Sequence, residues 1–211
     1  MTTVVLADDH AAIRAGLTLL LGRHDDIDIV AEADDGESAV MMCRTHRPDV
    51  VLMDVRMPGM DGIEATRRVV ESTDCKVLVL TTFDLDEYIF AALDAGASGF
   101  VLKTASAGDL VGAVRSVASG DGALAPRATR ALIDRFVAAP RRSEPPPGYG
   151  DLTQREKDVL HLLGDGLSNA ELAAALGVGD PTAKTHVSRV LAKLHLSSRV
   201  QAAILARESG L

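Results

Sequence analysis

Val50-Val51-Leu52-Met53-Asp54-Val55-Arg56-Met57-Pro58-Gly59-Met60-Asp61-Gly62 runs from an unbroken apolar segment into an acid and then into a turn. Four consecutive apolar residues, two of them β-branched, read as a short strand buried on both faces. Pro58 and Gly59 supply the turn chemistry that ends it, and an amphipathic pattern of helix length follows over about 61–71. The same alternation repeats on either side. Apolar runs fall at 4–7, 27–31, 77–80 and 100–102, with helical patterns at about 11–22, 36–46, 85–95 and 106–120. Five short strands separated by helices predict an α/β fold, a doubly wound parallel sheet covered on both faces. In such a sheet the functional groups gather at the carboxyl ends of the strands.

The chain has 211 residues, 47% hydrophobic and 25% charged, an ordinary globular composition with length for two small cores. No apolar run approaches the roughly 18–20 residues of a membrane span. The first residues, Met1-Thr2-Thr3-Val4, lack the basic and apolar regions of a secretory leader. Cys43 and Cys75 make neither a disulfide framework nor a zinc spacing, so a reduced, cytoplasmic chain is expected. Residues 125–139 suit one more amphipathic helix, and Pro140-Arg141-Arg142-Ser143-Glu144-Pro145-Pro146-Pro147-Gly148-Tyr149-Gly150 reads as a linker. Beyond it the pattern is helical throughout. Thr153-Gln154-Arg155-Glu156 and Ser168-Asn169-Ala170-Glu171 each read as a capping box. The expected division is therefore 1–122, a helix and linker over 123–150, and a helical domain over 151–211.

Charge follows that division. Residues 1–125 carry 21 acids and 10 bases, whereas residues 180–211 carry two acids and five bases. A nucleic-acid surface is thus allowed only at the C-terminal end.

Asp8 and Asp9 follow the first strand, and Asp54 ends the third. With those two strands adjacent, the three carboxylates converge, and their repulsion calls for a cation. Oxygen ligands of this kind suit Mg²⁺, or Mn²⁺ in its place. Thr81 ends the fourth strand and Lys103 the fifth. An acidic pocket with a lysine and a hydroxyl on its rim suits a phosphoryl group arriving on one aspartate.

Val5-Leu6-Ala7-Asp8-Asp9-His10, Met53-Asp54-Val55-Arg56-Met57-Pro58-Gly59-Met60-Asp61-Gly62, Leu80-Thr81-Thr82 and Gly96-Ala97-Ser98-Gly99-Phe100-Val101-Leu102-Lys103 together resemble two-component response-regulator receiver domains. The resemblance spans roughly residues 1–120 and implies a flavodoxin-like receiver in which Asp54 accepts phosphate from a sensor histidine kinase. It also implies that Asp8, Asp9, Asp54 and the backbone carbonyl of Arg56 hold Mg²⁺. Thr81 would turn toward the phosphoryl group, Phe100 would follow it as an aromatic switch, and Lys103 would supply the cation. Many receivers place proline after that lysine; here Thr104 stands there. A phosphohydrolase using the same acceptor chemistry would carry a second acid two residues beyond the nucleophile, where this chain has Arg56, so no separate enzyme activity is expected. Arg56 and Phe83, two positions beyond Asp54 and Thr81, are expected to shield the phosphoryl group from water and make its loss slow.

In the last sixty residues, Ala183, Val187, Val190, Leu191 and Leu194 share one helical stripe. Lys184, Thr185, Ser188, Arg189 and Ala192 share the other. With the capped helix from Ser168 and the turn at 177–179, this predicts a helix-turn-helix. The segment from Leu152 to about Arg207 resembles the LuxR/NarL-type DNA-binding domain, an all-α domain of four helices. That resemblance places Lys184, Thr185 and Ser188 nearest the bases of promoter DNA, with Arg189 and Lys193 toward phosphates. It also assigns a dimer contact to the final helix, for which Ala202, Leu205 and Ala206 look like a second apolar face. At Gly179-Asp180-Pro181-Thr182 the chain departs from the family pattern, and Asp180 is expected to act as N-cap with Pro181 at the first helical position. The expected whole is a cytoplasmic transcription factor that meets no membrane. Its expected partners are a histidine kinase, promoter DNA, a second copy of itself when phosphorylated, and RNA polymerase.

Overall fold

The computed structural model describes residues 1–81, 86–124 and 146–209. Phe83, the helix expected over 125–139 and linker residues 140–145 lie outside the described residues. The chain divides into two compact units.

The first unit is built on parallel strands β1 (Thr2–Ala7), β2 (Ile27–Ala33), β3 (Val50–Asp54), β4 (Lys76–Thr81) and β5 (Gly99–Leu102). Their helices are α1 (Ala11–Leu21), α2 (Gly36–His46), α3 (Gly62–Ser72), α4 (Asp86–Asp94) and α5 (Ala107–Ser119). The spatial order is β2-β1-β3-β4-β5-β6, where β6 (Ala123–Leu124) pairs with Gly99 and Phe100. The five expected strands are all present. The two-residue β6 carries no periodicity that its sequence alone reveals, because it is defined by its pairing with β5.

Strand runs are continuously apolar because both faces of the sheet are covered. Val4, Leu6, Val50, Leu52, Leu78 and Leu80 join Leu21 of α1 and Leu110, Val114 and Val117 of α5 in one buried cluster. The alternate residues Val5, Val51, Met53 and Val79 project to the other face and are buried as completely. Caps set the helix starts: Asp35 accepts from the Ser38 amide, Asp61 from Glu64, and Ser106 from Asp109. The strand order reverses between β1 and β3, which opens a crevice at their carboxyl ends.

The second unit contains a 3₁₀ turn (Tyr149–Asp151) and helices α6 (Gln154–Gly164), α7 (Asn169–Leu176), α8 (Asp180–Lys193) and α9 (Arg199–Glu208). Both capping boxes form, Thr153 with Glu156 and Ser168 with Glu171. The 3₁₀ turn begins at Tyr149, inside the stretch expected to be linker. Tyr149 packs against the second core with the Lys157 ammonium 4.8 Å from its ring centre, and this aromatic anchor orders the turn. Leu160, Leu163, Leu172, Ala183, Val190, Ala202 and Ala206 fill the core. Among the described residues, no helix is long and apolar enough to cross a membrane.

Candidate functional site

The strand order brings Asp8, just past β1, beside Asp54 at the end of β3. Both side chains are buried, at 1% and 8% exposure, and one ammonium group bridges them. Lys103 Nζ donates to Asp54 Oδ2 at 2.8 Å and lies 2.5 Å from Asp8 Oδ2. Lys103 is held at the strand end by its own amide, which donates to the Thr81 carbonyl at 2.8 Å. Thr81 is buried at the end of β4, in register with Leu102. Phe100 is fully buried in β5, paired with Val79 on one side and Leu124 on the other.

The electrostatics show a surplus of negative charge. Burial pushes the Asp54 carboxyl above its usual range, Lys103 opposes this, and Asp8 adds to it. Burial likewise works against the Lys103 ammonium, yet its bonds to Asp54 and Asp8 outweigh that and hold its pKa above the usual lysine value. Two buried acids on one base leave a net negative pocket, which suits a divalent cation. The donor set also fits one: Asp8 Oδ2 has no aligned hydrogen bond. Single ligand atoms of Asp8, Asp9 and His10 lie within 4.8 Å of one another. Asp54 reaches this group through the shared lysine, and Arg56 lies exposed in the turn beyond β3.

Four further residues contribute to the site, none of them given a role by the sequence pattern. His10 adds an imidazole to the acidic pair. Arg14 of α1 donates from Nη1 to the Asp8 carbonyl at 2.6 Å and steadies the backbone there. Gly62 begins α3 so close to β3 that a Cβ on it would stand 1.7 Å from the Asp54 carbonyl oxygen. At the other side of the turn, a Cβ on Gly36 would stand 2.4 Å from the Met60 carbonyl oxygen, so two glycines clamp the loop that follows Asp54.

In the second unit, α8 buries Ala183, Val187 and Val190 and exposes Lys184, Thr185, Ser188, Arg189 and Ala192. The Thr185 and Ser188 hydroxyls donate to the carbonyls one turn back, at 2.9 and 3.0 Å. Lys184 pairs with Asp180 at 3.1 Å. The N-cap is Gly179 and not Asp180, which sits inside the first turn with Pro181 after it. Asp180 still favours the positive helix end, but no side chain caps it.

One expectation is corrected. Ala202 and Ala206 are fully buried in the unit's own core, Leu205 packs against it, and a Cβ on Gly164 of α6 would stand 2.9 Å from Ala206 Cβ. Ala202 and Ala206 face inward because α9 packs on α6 through its small side chains, so neither belongs to an exposed dimer face. Lys193 is exposed, and its Nζ donates to Glu156 Oε2 at 2.7 Å and to the Asp151 carbonyl at 3.0 Å. Arg199 donates to the Leu167 carbonyl and Asn169, and Arg207 to the Gly164 carbonyl at 2.7 Å. Of the five bases after residue 180, three therefore close helix ends, and Lys184 and Arg189 are left on the exposed face of α8.

Comparison with known proteins gives the same two-part division. Residues 4–115 match the response regulator receiver domain, and residues 151–206 match the luxR family of bacterial regulatory proteins. The transcriptional regulatory protein LiaR of Bacillus subtilis is 36% identical over 212 residues, covering 100% of this chain and 99% of LiaR. The crystal structure of ChrA, a response regulator of a heme-sensing two-component system, is 40% identical and covers 99% of this chain and 98% of ChrA with a TM-score of 0.55. A LuxR-family two-component response regulator from Aurantimonas is 33% identical, with a TM-score of 0.62 over 65% of this chain and 99% of that one.

Proposed function

Since this chain belongs to the two-component transcriptional response regulators that join a receiver domain to a LuxR-type helix-turn-helix domain, we propose that phosphorylation of Asp54 by a sensor histidine kinase controls its binding to promoter DNA. The receiver is taken as residues 1–122, the connection as 123–150 and the DNA-binding domain as 151–211. The observation that carries this reading is the Lys103 ammonium shared by buried Asp8 and Asp54 at the point where the strand order reverses.

Asp54 is the acceptor because its carboxylate is both buried and oriented. An Asp54 oxygen attacks the phosphorus of the kinase phosphohistidine, and the phosphorus–nitrogen bond breaks as the acyl phosphate forms. Lys103 keeps the Asp54 side chain in place and then faces the new phosphoryl oxygens. Asp8 and Asp9 would hold Mg²⁺, with Asp54 and the Arg56 carbonyl completing the set; when bound, the ion offsets the charge that develops on the phosphoryl group. The Thr81 hydroxyl turns toward that group, and Phe100, on the adjacent strand two register positions before Leu102, the partner of Thr81, follows. The chain acts only on its own aspartate and turns over no outside substrate. Arg56 at the mouth of the pocket slows attack by water, so the phosphorylated form persists.

Output lies on α8, where Lys184, Thr185 and Ser188 face base edges and Arg189 faces phosphates. Phosphorylation promotes a homodimer whose two α8 helices enter successive major grooves, from which RNA polymerase is recruited or excluded in the cytoplasm. Incubation with a small phosphoryl donor and Mg²⁺ tests the acceptor. The wild type should take up one acid-labile phosphate and Asp54→Asn none, with the fold retained because the amide is isosteric. A full equivalent of phosphate on the variant would overturn the assignment.

A further inference from the structure

His10 occupies the N-cap of α1, where Ser, Thr, Asp or Asn normally accepts a bond from the first helical amides. It caps nothing: its backbone is extended and its side chain makes no cap hydrogen bond. The ring turns instead toward the two carboxylates. Nδ1 lies 2.6 Å from Asp9 Oδ1 and 3.6 Å from Asp8 Oδ1, while the His10 amide donates to Asp8 Oδ1 at 2.9 Å. At 67% exposure the imidazole moves without repacking any core. Neighbouring ligands on a divalent ion of this size stand about 3 Å apart and opposite ones about 4 Å. The ring's separations from the two carboxylates, 2.6 and 3.6 Å, bracket the value for adjacent ligands, and only the Asp9 contact must open, by a few tenths of an ångström. The buried Asp8 supplies the inner wall of the same pocket through Oδ1, the oxygen nearer the imidazole, while its Oδ2 faces the Lys103 ammonium.

Carboxylates alone suit hard ions such as Mg²⁺, whereas an imidazole shifts a site toward first-row transition ions. Building on the reading of Asp8, Asp9, Asp54 and the Arg56 carbonyl as cation ligands, we propose that His10 Nδ1 joins them as a further protein ligand and that the site takes Mn²⁺ in preference to Mg²⁺.

Pulsed electron paramagnetic resonance on the full chain loaded with Mn²⁺ tests this directly. The spectrum should carry the coupling of one bound imidazole nitrogen, which changes isotope pattern when histidine alone is ¹⁵N-labelled. That coupling should vanish in His10→Ala and in His10→Asn, the second of which restores a capping side chain and so keeps α1 folded. In both variants the ratio of Mn²⁺ to Mg²⁺ affinity should fall about tenfold. Bound Mn²⁺ with no histidine nitrogen coupling would overturn the His10 proposal and leave the Asp8–Asp9 site standing. Mn²⁺ that fails to bind, or that binds Asp9→Asn as well as wild type, would overturn the underlying site and the proposal with it.

Discussion

Lys193, in the last turn of α8, reaches Glu156 Oε2 at 2.7 Å and so ties the end of that helix to the first turn of α6. The Glu156 carboxylate is 6% exposed and serves three donors at once: Lys193 Nζ, the Thr153 amide at 2.8 Å and the Thr153 hydroxyl at 3.0 Å. Lys193→Met keeps the aliphatic stem and removes only the charge. It should lower the stability of the second unit by about 1 kcal/mol. The salt dependence of DNA binding should not change. Denaturant unfolding followed at Tyr149 reads the first effect, and binding across a salt series reads the second. A slope reduced by about one counterion would return Lys193 to the phosphate contacts.

The same group makes the second unit acid-sensitive. Lys193 first, and then the Thr153 amide, lowers the Glu156 pKa to about 2. The unfolded value is about 4.3. A depressed carboxylate contributes its stability above the unfolded pKa and loses it as pH falls toward the folded one. The difference in melting temperature between wild type and Glu156→Gln should therefore be full at pH 6, begin to shrink below about pH 4.5, and approach zero near pH 2. A difference that stays constant across that range would show that the carboxylate charge is not what holds the cap.

Gly62→Ala should be severe because the added methyl has nowhere to go. It would stand 1.7 Å from the Asp54 carbonyl oxygen and 2.7 Å from the carbon behind it, and both belong to a central strand. The expected loss is about 3 kcal/mol, the upper end for overpacking, together with slowed phosphate uptake as Asp54 shifts. Gly16→Ala, where nothing lies within 4 Å of the new atom, is the matched control and should be neutral or stabilising. Equal stability of the two variants would contradict the close approach of α3 to β3.

On α8, Lys184 and Arg189 should separate by role. Lys184→Ala is expected to weaken binding to a specific site by roughly 1–3 kcal/mol while sparing nonspecific DNA. Arg189→Ala should weaken both alike and reduce the salt slope by about one. Fluorescence anisotropy with operator and scrambled duplexes distinguishes the two. A uniform loss for Lys184 would move it to the backbone.

Much of the strand-end site is legible in the sequence. Asp8, Asp9, Asp54, Thr81 and Lys103 each close an apolar run, and a parallel sheet carries run ends to one edge. His10, Arg14 and Gly62 were hidden for a different reason. Each acts through a contact with backbone or side chain brought near by the fold, and none has a spacing that marks it. The C-terminal bases misled in the opposite direction, because a count of charges does not say where each points. Three of the five are drawn back to helix ends, where carbonyls and the Glu156 carboxylate compete for them.

The sequence by itself determined the alternation of strands and helices, the two capping boxes and the inward stripe of α8. These follow from local rules, namely period, capping residues and turn chemistry, that act within one turn or one strand. Only the tertiary structure decided that one lysine serves two buried acids, that Lys193 meets Glu156, and that Ala202 and Ala206 look inward. Each of these is a choice between partners far apart in the chain. Which face of α9 is buried depends on Gly164 leaving room for Ala206, a fact of packing that no residue of α9 carries alone.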